Sequence, residues 1–550
     1  MNIISFKKWF SEHPALFAVI LLLAVCGTAF FNSLDNGFLM DDNPLLIGNR
    51  NTNILEFLHL DFSDHEKSAY FRPINHFFIL TTLTAFGHDP FGYNLVNLIM
   101  HFLACLSVYY LFRILFKDPT IALLTSLIYS LHPINGILIN YKTCTSQSFL
   151  VIATNLCLIN YLSAIEEKNN FSNYVLSLIW FLLALMCHEV GILTPFFLMN
   201  ILFVLKKYNL RETLFKSIPI LTTLICYLLF RMYFFSLKKN VLDNITFFRL
   251  SFLEYIASYT KLASWYISKL IFPDGIVLAW EVHHLSNPFY QGVSVVCLSL
   301  SIIFLIFILF RKQSAETFAL IWLMSGIALV AIVCFARPAL GFVIEPHWLC
   351  ASSIGFFLLV ALCLTSLRKI LPYSVWLSII VGLLVFLFAK TNWYNQQWNS
   401  QKQYCQYWLT ISPNSYWPNF WLGYTYFEEK NYLKAKQHYE KNLGKGVRIF
   451  EVYGNLGIVE YNLENYEASI SRLNKSLSIE PDIADTHYYL GLNYVVKKDF
   501  DTAEEYFLEA VRLDPYFLSP LEQLLRLYEI QGQVEKAVLV KRQLQKLKTK

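Results

Sequence analysis

Ionisable side chains are scarce in the apolar part of this chain. A charge within or beside a bilayer is costly, so each one is a candidate for chemistry. Asp41 and Asp42 stand together in FLMDDNPLL. Adjacent carboxylates can ligate a divalent ion, and one of them can act as a general base. Asp ahead of Asn-Pro also makes an ordinary turn. Arg72 follows in AYFRPINHFF, with His76 in the same segment. A guanidinium there can grip a phosphate through paired hydrogen bonds or anchor a short helix to lipid headgroups. His101 lies inside an apolar run, VNLIMHFLA, where a lone histidine can simply hydrogen-bond a neighbouring helix.

More distant segments add to this set. His132 closes an apolar run in LHPIN, and Lys142 follows it. His188 and Glu189 adjoin in LMCHEVGILTP, and Glu345 and His347 open EPHWLC. No span carries a regular ladder of charges across the bilayer, as a proton pump would need. The pattern is instead one of scattered polar clusters that the topology must gather.

The elements that would position these groups are membrane helices. Of 550 residues, 56% are hydrophobic and only 15% charged, whereas a soluble domain carries about 25% charged residues. Spans need roughly 20 apolar residues and are predicted at 14–31, 91–112, 119–134, 143–163, 173–187, 190–205, 217–236, 291–310, 316–336, 348–366 and 373–390, eleven in all. Lys7 and Lys8 precede the first, and no small-x-small cleavage site follows it, so it reads as an uncleaved span entering from the cytoplasm. Every second loop is then basic, with Arg113 and Lys117, Lys206, Lys207 and Arg211, Arg311 and Lys312, and Arg368 and Lys369. The segment 251–272 breaks this alternation if counted as a span and is placed as an amphipathic helix on the outer surface. This threading puts the candidate residues on the outer face and the C-terminus with them.

From about Asn392 the composition turns polar and periodic. Gly423, Gly457 and Gly491 recur every 34 residues, as do Tyr432, Tyr466 and Phe500, and Ala435, Ser469, Ala503 and Ala537. Pro481 and Pro515 keep the same interval. This is the tetratricopeptide (TPR) signature: small residues let two helices cross closely and a proline ends the second. A fourth copy is degenerate, with Leu525 in place of the glycine, as terminal repeats often are. The expected architecture is all-α: a polytopic membrane helix bundle of about eleven spans over 1–391, then a TPR α-solenoid over 392–550.

Composition excludes some classes. The net charge is only +5 and no basic tract is interleaved with aromatics, which argues against nucleic acid. Eleven cysteines, ten of them in the apolar region, show no CxxC pairs or regular spacing. They read as buried hydrophobes rather than a zinc site or disulfide framework.

Taken in order, Asp41 and Asp42, YFRPINHF, GHDPFGYNLVNLIMHFLA, LHPIN, HEVGILTP, EPHWLCASSIGFFLL, TNWYNQQWNS and the repeats resemble the transmembrane and TPR-repeat-containing O-mannosyltransferases and their bacterial relatives, members of the GT-C superfamily with protein O-mannosyltransferases as cousins. The likeness runs through nearly the whole chain, and 70–111 and the repeats are its most specific parts. It implies a GT-C-like fold and an enzyme that takes a mannose-like sugar from a polyprenyl-phosphate donor on the outer face and inverts the anomeric carbon. No other cofactor is implied, apart from a divalent metal at Asp41 and Asp42 if one is used. Carried over, Asp42 is the base that deprotonates the acceptor hydroxyl, Arg72 stabilises the departing phosphate and His347 is a second cation for it. His76, His132, Lys142, His188, Glu189 and Glu345 complete the expected donor-phosphate or substrate-binding set. The chain departs from the pattern at Ile137, where relatives often carry Glu, and at Thr145, where they often carry Arg, with Lys142 a nearby substitute. His188 replaces a Lys, Pro346 and His347 follow Glu345 in place of Arg or His, and Cys350 replaces a Tyr.

The expected partners are the lipid bilayer, the lipid-linked donor and a protein held by the TPR array. The expected location is a bacterial inner membrane with the repeats in the periplasm, the endoplasmic reticulum with lumenal repeats being the alternative. Two other classes stay open on the residues: a non-catalytic membrane scaffold for envelope assembly, and a flippase, which would need polar groups at mid-membrane depth.

Overall fold

A computed structural model describes residues 13–40, 42, 72–166, 170–234, 251–282, 292–296, 298, 314–336, 342–445 and 448–548. The chain separates into two compact units, 1–400 and 401–550.

In the first unit, helices start where the sequence supplies caps. Asp89 accepts Phe91 N–H and precedes Pro90 at the head of the helix Pro90–Phe116. Asp118 accepts Thr120 N–H and precedes Pro119 at the head of Pro119–Leu131. Both follow the rule that an N-cap carboxylate satisfies free backbone donors while proline at the first position loses nothing. In chain order the helices are α1 (Pro14–Phe30), α2 (Pro73–Phe86), α3 (Pro90–Phe116), α4 (Pro119–Leu131), α5 (Ile137–Asn140), α6 (Thr145–Glu166), α7 (Phe171–Cys187), α8 (Thr194–Asn200), α9 (Leu210–Phe234), α10 (Phe252–Ile271), α11 (Ala315–Ala336), α12 (Ile354–Leu367) and α13 (Tyr373–Gln397). A short antiparallel ribbon, β1 (Trp280–Val282) with β2 (Phe342–Ile344), pairs Trp280 with Ile344 and leads directly into Glu345.

The centre of this unit is α3 and α6. Helix α6 lies along α3 and α7, and α3 also carries α1 and α4; α12 and α13 close on α4. In an apolar bundle the inward face is marked by small and polar residues rather than by hydrophobicity. On α3 that face is Asn94, Asn97, His101, Ala104, Cys105 and Val108, all buried and spaced by one helical turn.

Among the described residues, five helices are long and apolar enough to cross a membrane, and six if the bent pair Pro119–Leu131 and Pro133–Asn140 is one span. The eleven expected spans are therefore not all reached among the described residues. Phe171–Cys187 and Ile354–Leu367 are shorter, Glu189–Leu205 is broken into 3-10, α and π turns, and most of 291–310 lies outside the described residues. The 57° bend after Leu131 has a local cause. Pro133 pushes His132 into an extended conformation (ψ 126°) and ends the helix. Helix α10, over the segment expected to be amphipathic, buries Ser258, Leu262, Trp265, Tyr266 and Leu270 along one face. Helix α13 runs unbroken through 391, the residue at which the sequence divides the chain.

The second unit is a stack of helical hairpins: α14 (Gln401–Ile411), α15 (Tyr416–Glu428), α16 (Tyr432–Glu440), α17 (Ile449–Asn462), α18 (Tyr466–Leu477), α19 (Ala484–Val496), α20 (Phe500–Leu513), α21 (Leu518–Ile530) and α22 (Val534–Lys548). The period has a steric basis. A Cβ on Gly491 would meet the Phe507 ring at 2.5 Å, and Gly423 and Gly457 face Tyr439 and Leu473 in the same way. A second feature repeats with them: Lys430, Glu464, Lys498 and Gly532, again 34 apart, all take left-handed φ (58°, 61°, 62° and 71°) in the turn between paired helices.

Candidate active site

The expected site residues sit where helices are interrupted. Asp41 lies outside the described residues. Asp42 is fully buried in a tight turn, where its N–H donates to Leu39 O (3.0 Å) and its Oδ2 accepts Leu39 N–H (3.3 Å). Met40 within that turn has φ 52°, a conformation that costs a non-glycine residue about 1–3 kcal/mol and that clusters at functional sites. Asp42 Oδ2 also accepts the Lys142 N–H at 3.4 Å. Lys142 is buried too, and its Nζ donates to Asn140 O at 3.1 Å.

Amides hold this arrangement together. Asn94 donates to Leu34 O (3.0 Å) and Asn36 O (2.9 Å), and Asn97 to Ile139 O (3.1 Å) and Tyr141 O (3.1 Å). Helix α3 thus fixes both the loop that leads to Asp42 and the segment that leads to Lys142. Asn36 donates to Asn140 Oδ1 (2.7 Å), Asn140 to Asn395 Oδ1 (2.8 Å), and Asn395 to Ala29 O (3.1 Å). All five asparagines are buried. The sequence reading missed them, although polar residues at 94, 97 and 101 in an apolar run give the inward face of α3 away.

Arg72 caps α2, which packs on α7 and on the Lys142–Cys144 turn. Its Nε and Nη2 both donate to Glu189 Oε2, at 3.0 and 2.6 Å. Arg231 Nη2, from α9, donates to the other oxygen, Oε1, at 3.1 Å. Arg231 was absent from the sequence-based set because it stands alone at the end of an apolar helix. Burial would push the Glu189 carboxyl up, but the positive charge of His188 when protonated and of Arg72, with the hydrogen bonds from Arg72, brings it down to about 2. His188 Nδ1 accepts the Val190 N–H at 3.2 Å. The same nitrogen lies 3.7 Å from Glu189 Oε2.

Glu345 and His347 form a pair, Oε2 to Nε2 at 3.3 Å. The Pro346–Leu349 turn packs on Pro133–Gly136 and on α5, and Cys350 Sγ reaches Gln147 O at 3.8 Å. Cys144 is buried in the Lys142–Cys144 turn, on which α2 packs. Ser146, two residues on, donates to Asn75 Oδ1 at 2.9 Å and ties α6 to the start of α2.

Two expected residues take other roles here. His132 is buried with both ring nitrogens engaged: Nδ1 accepts Ile134 N–H (3.3 Å) and Nε2 faces Leu270 O (3.1 Å). It joins α4 to the end of α10 and leaves neither nitrogen for a donor phosphate. His76 is exposed on the first turn of α2, with Nδ1 3.2 Å from Arg72 O. Among the described residues Asp42 belongs to no group of three metal-ligating side chains.

Residues 72–234 match the family model described as dolichyl-phosphate-mannose-protein mannosyltransferase, and 450–483 and 484–517 match tetratricopeptide repeats. Protein O-mannosyl-transferase TMTC4 of Mus musculus is 23% identical over 33% of this chain and 29% of its own. A protein O-mannosyl-transferase of Caenorhabditis elegans is 24% identical over 76% of this chain and 62% of its own. The chain thus spans less than two thirds of these relatives' length. Among solved structures, MamA from Desulfovibrio magneticus RS-1 matches 27% of this chain and 84% of its own at 21% identity, with a TM-score of 0.25. A mannosyltransferase-like segment that contains Arg72, Glu189 and Arg231, followed by tetratricopeptide repeats, is the combination of the TPR-containing O-mannosyltransferase-like family, which this chain matches.

Proposed function

We propose that the protein is a membrane glycosyltransferase that moves a mannose-like sugar from a polyprenyl-phosphate donor to a hydroxyl of a protein or envelope acceptor on the outer face. The observation that supports this reading is geometric: Arg72, held on Glu189 by two hydrogen bonds, caps α2, and α2 packs on the Lys142–Cys144 turn, where the Lys142 N–H binds Asp42. The reaction breaks the bond between the anomeric carbon and the lipid phosphate and forms one to the acceptor oxygen. An aspartate of the first outer loop, assigned as Asp42, takes the acceptor proton. Negative charge grows on the departing phosphate as the anomeric carbon becomes oxocarbenium-like. A cation already held in place stabilises that charge best. Arg72 fits the role: two bonds to Glu189 fix its guanidinium while its side chain stays partly exposed. His347, positioned by Glu345, is a second candidate. The TPR array recruits the acceptor, and the outer face is the periplasm of a bacterial inner membrane.

The test is transfer of radiolabelled mannose from polyprenyl phosphate in membranes containing the full chain. Loss of transfer in Asp42→Asn and Arg72→Ala at normal expression supports the proposal; unchanged transfer in both removes it. The burial of Asp42 and its bonds to backbone N–H groups also suit a purely structural carboxylate, which favours a second reading, a non-catalytic scaffold. On that reading Asp42→Asn lowers thermal stability, and no transfer is detected from any chain.

A further inference from the structure

Away from the outer loops, α1 and α3 bring together three groups that could bind a metal. Cys26 projects from α1; His101 and Cys105 lie one turn apart on the inward face of α3. One ligand atom from each lies within 4.8 Å of the other two, and all three residues are buried. Cys105 Sγ is 3.7 Å from His101 Nε2. Two ligands of one tetrahedral zinc ion, with bonds of about 2.3 Å to sulfur and 2.0 Å to nitrogen, stand about 3.5 Å apart. No carboxylate or amine joins the group, so the donor set is soft.

The imidazole is oriented as a ligand is oriented. Its ring stacks on Tyr129 (5.7 Å, 19°) and takes the edge of Phe30 (5.4 Å, 72°). Nε2, the nitrogen that faces Cys105, is also 3.3 Å from the Ser130 carbonyl. Nδ1 is buried and has no hydrogen-bond partner among the described residues, and the same is true of the nearby Tyr129 hydroxyl. The polar atoms around the cluster are thus not all satisfied by protein groups among the described residues.

We infer that Cys26, His101 and Cys105 form a buried binding site for a soft divalent cation, zinc being the natural occupant. Binding releases one proton from each thiol, so a dication with two thiolates and a neutral imidazole carries no net charge. That is the state a low-dielectric interior tolerates. The ion staples α1 to α3, and α1 launches the loop that ends at Asp42. The site is independent of the chemistry proposed above and needs no transfer activity to be detected.

The experiment uses the full chain, purified in detergent after growth with zinc and washed with a weak chelator. Elemental mass spectrometry is expected to find about one zinc per chain. Cys26→Ala and Cys105→Ala each lower that content at least tenfold, while Cys226→Ala, at an exposed cysteine, leaves it unchanged. Should the first two variants fail to fold, cobalt(II) exchanged into the unaltered chain gives a second readout, a thiolate-to-cobalt charge-transfer band. The inference is overturned by an unaltered chain with neither zinc nor that band, or by peptide mass spectrometry that finds Cys26 and Cys105 joined as a disulfide.

Discussion

Arg72 and Arg231, from helices far apart in the chain, grip opposite oxygens of one carboxylate, that of Glu189. Both guanidiniums stay partly exposed. An exposed guanidinium suits a phosphate, and Glu189 is then a positioning residue rather than a reactant. Glu189→Gln is expected to cost about 2 kcal/mol, the range for hydrogen bonds to charged groups, and to raise the KM for the lipid donor more than it lowers kcat. Thermal unfolding in detergent and donor titration would check both.

The same carboxylate predicts an acid sensitivity. Its folded value is about 2 against an ordinary 4.5, so folding favours the ionised form. The stability this contributes is complete above about pH 4.5 and is lost as the pH falls from there toward 2. Unfolding midpoints followed through that window should fall more steeply for the unaltered chain than for Glu189→Gln. Equal slopes would mean that the two arginines do not hold Glu189 in solution.

For the assigned base, Asp42→Asn should reduce transfer about a thousand-fold, within the usual contribution of general-base catalysis. Full activity in Asp42→Asn with loss in Asp41→Asn would move the role to the neighbouring carboxylate.

In the amide network, Asn140→Leu keeps the number and branching of heavy atoms but leaves Asn36 and Asn395 each short of a partner. The expected cost is about 1–3 kcal/mol for each group left unsatisfied. Thermal unfolding of the full chain measures it, and a loss below about 0.5 kcal/mol would show that water replaces the amide.

In the repeats, Lys498→Gly should stabilise the α19 and α20 hairpin by about 1 kcal/mol, because its left-handed φ of 62° suits glycine. Gly532→Ala should destabilise the next turn by a similar amount. Gly491→Leu should cost more than either, since its side chain would enter the space of Phe507. Hydrogen exchange across 484–530 would rank the three.

Much of this was legible in the sequence because it is periodic or locally punctuated. The 34-residue spacing of Gly423, Gly457 and Gly491 marks the repeats, and Asp-Pro at 89–90 and 118–119 marks two helix starts. Arg72 and Glu189 stand out in the sequence because charges are rare in apolar surroundings, and the structure pairs them. What stayed hidden depends on contacts between distant segments. Arg231 gains meaning only when α9 brings it to Glu189. His132 loses a binding role only when the end of α10 occupies its Nε2. The shorter and broken apolar helices escaped because composition sets how hydrophobic a stretch is, not where a proline or a buried polar side chain interrupts it.

Asn36, Asn94, Asn97, Asn140 and Asn395 knit the first loop, α3, the Lys142 segment and α13 together through amides. Amide side chains do not titrate, and neutral dipoles are barely screened by salt. This seam should therefore hold its shape through swings of ionic strength and acidity. Environmental sensing is left to the few ionisable groups at its edge.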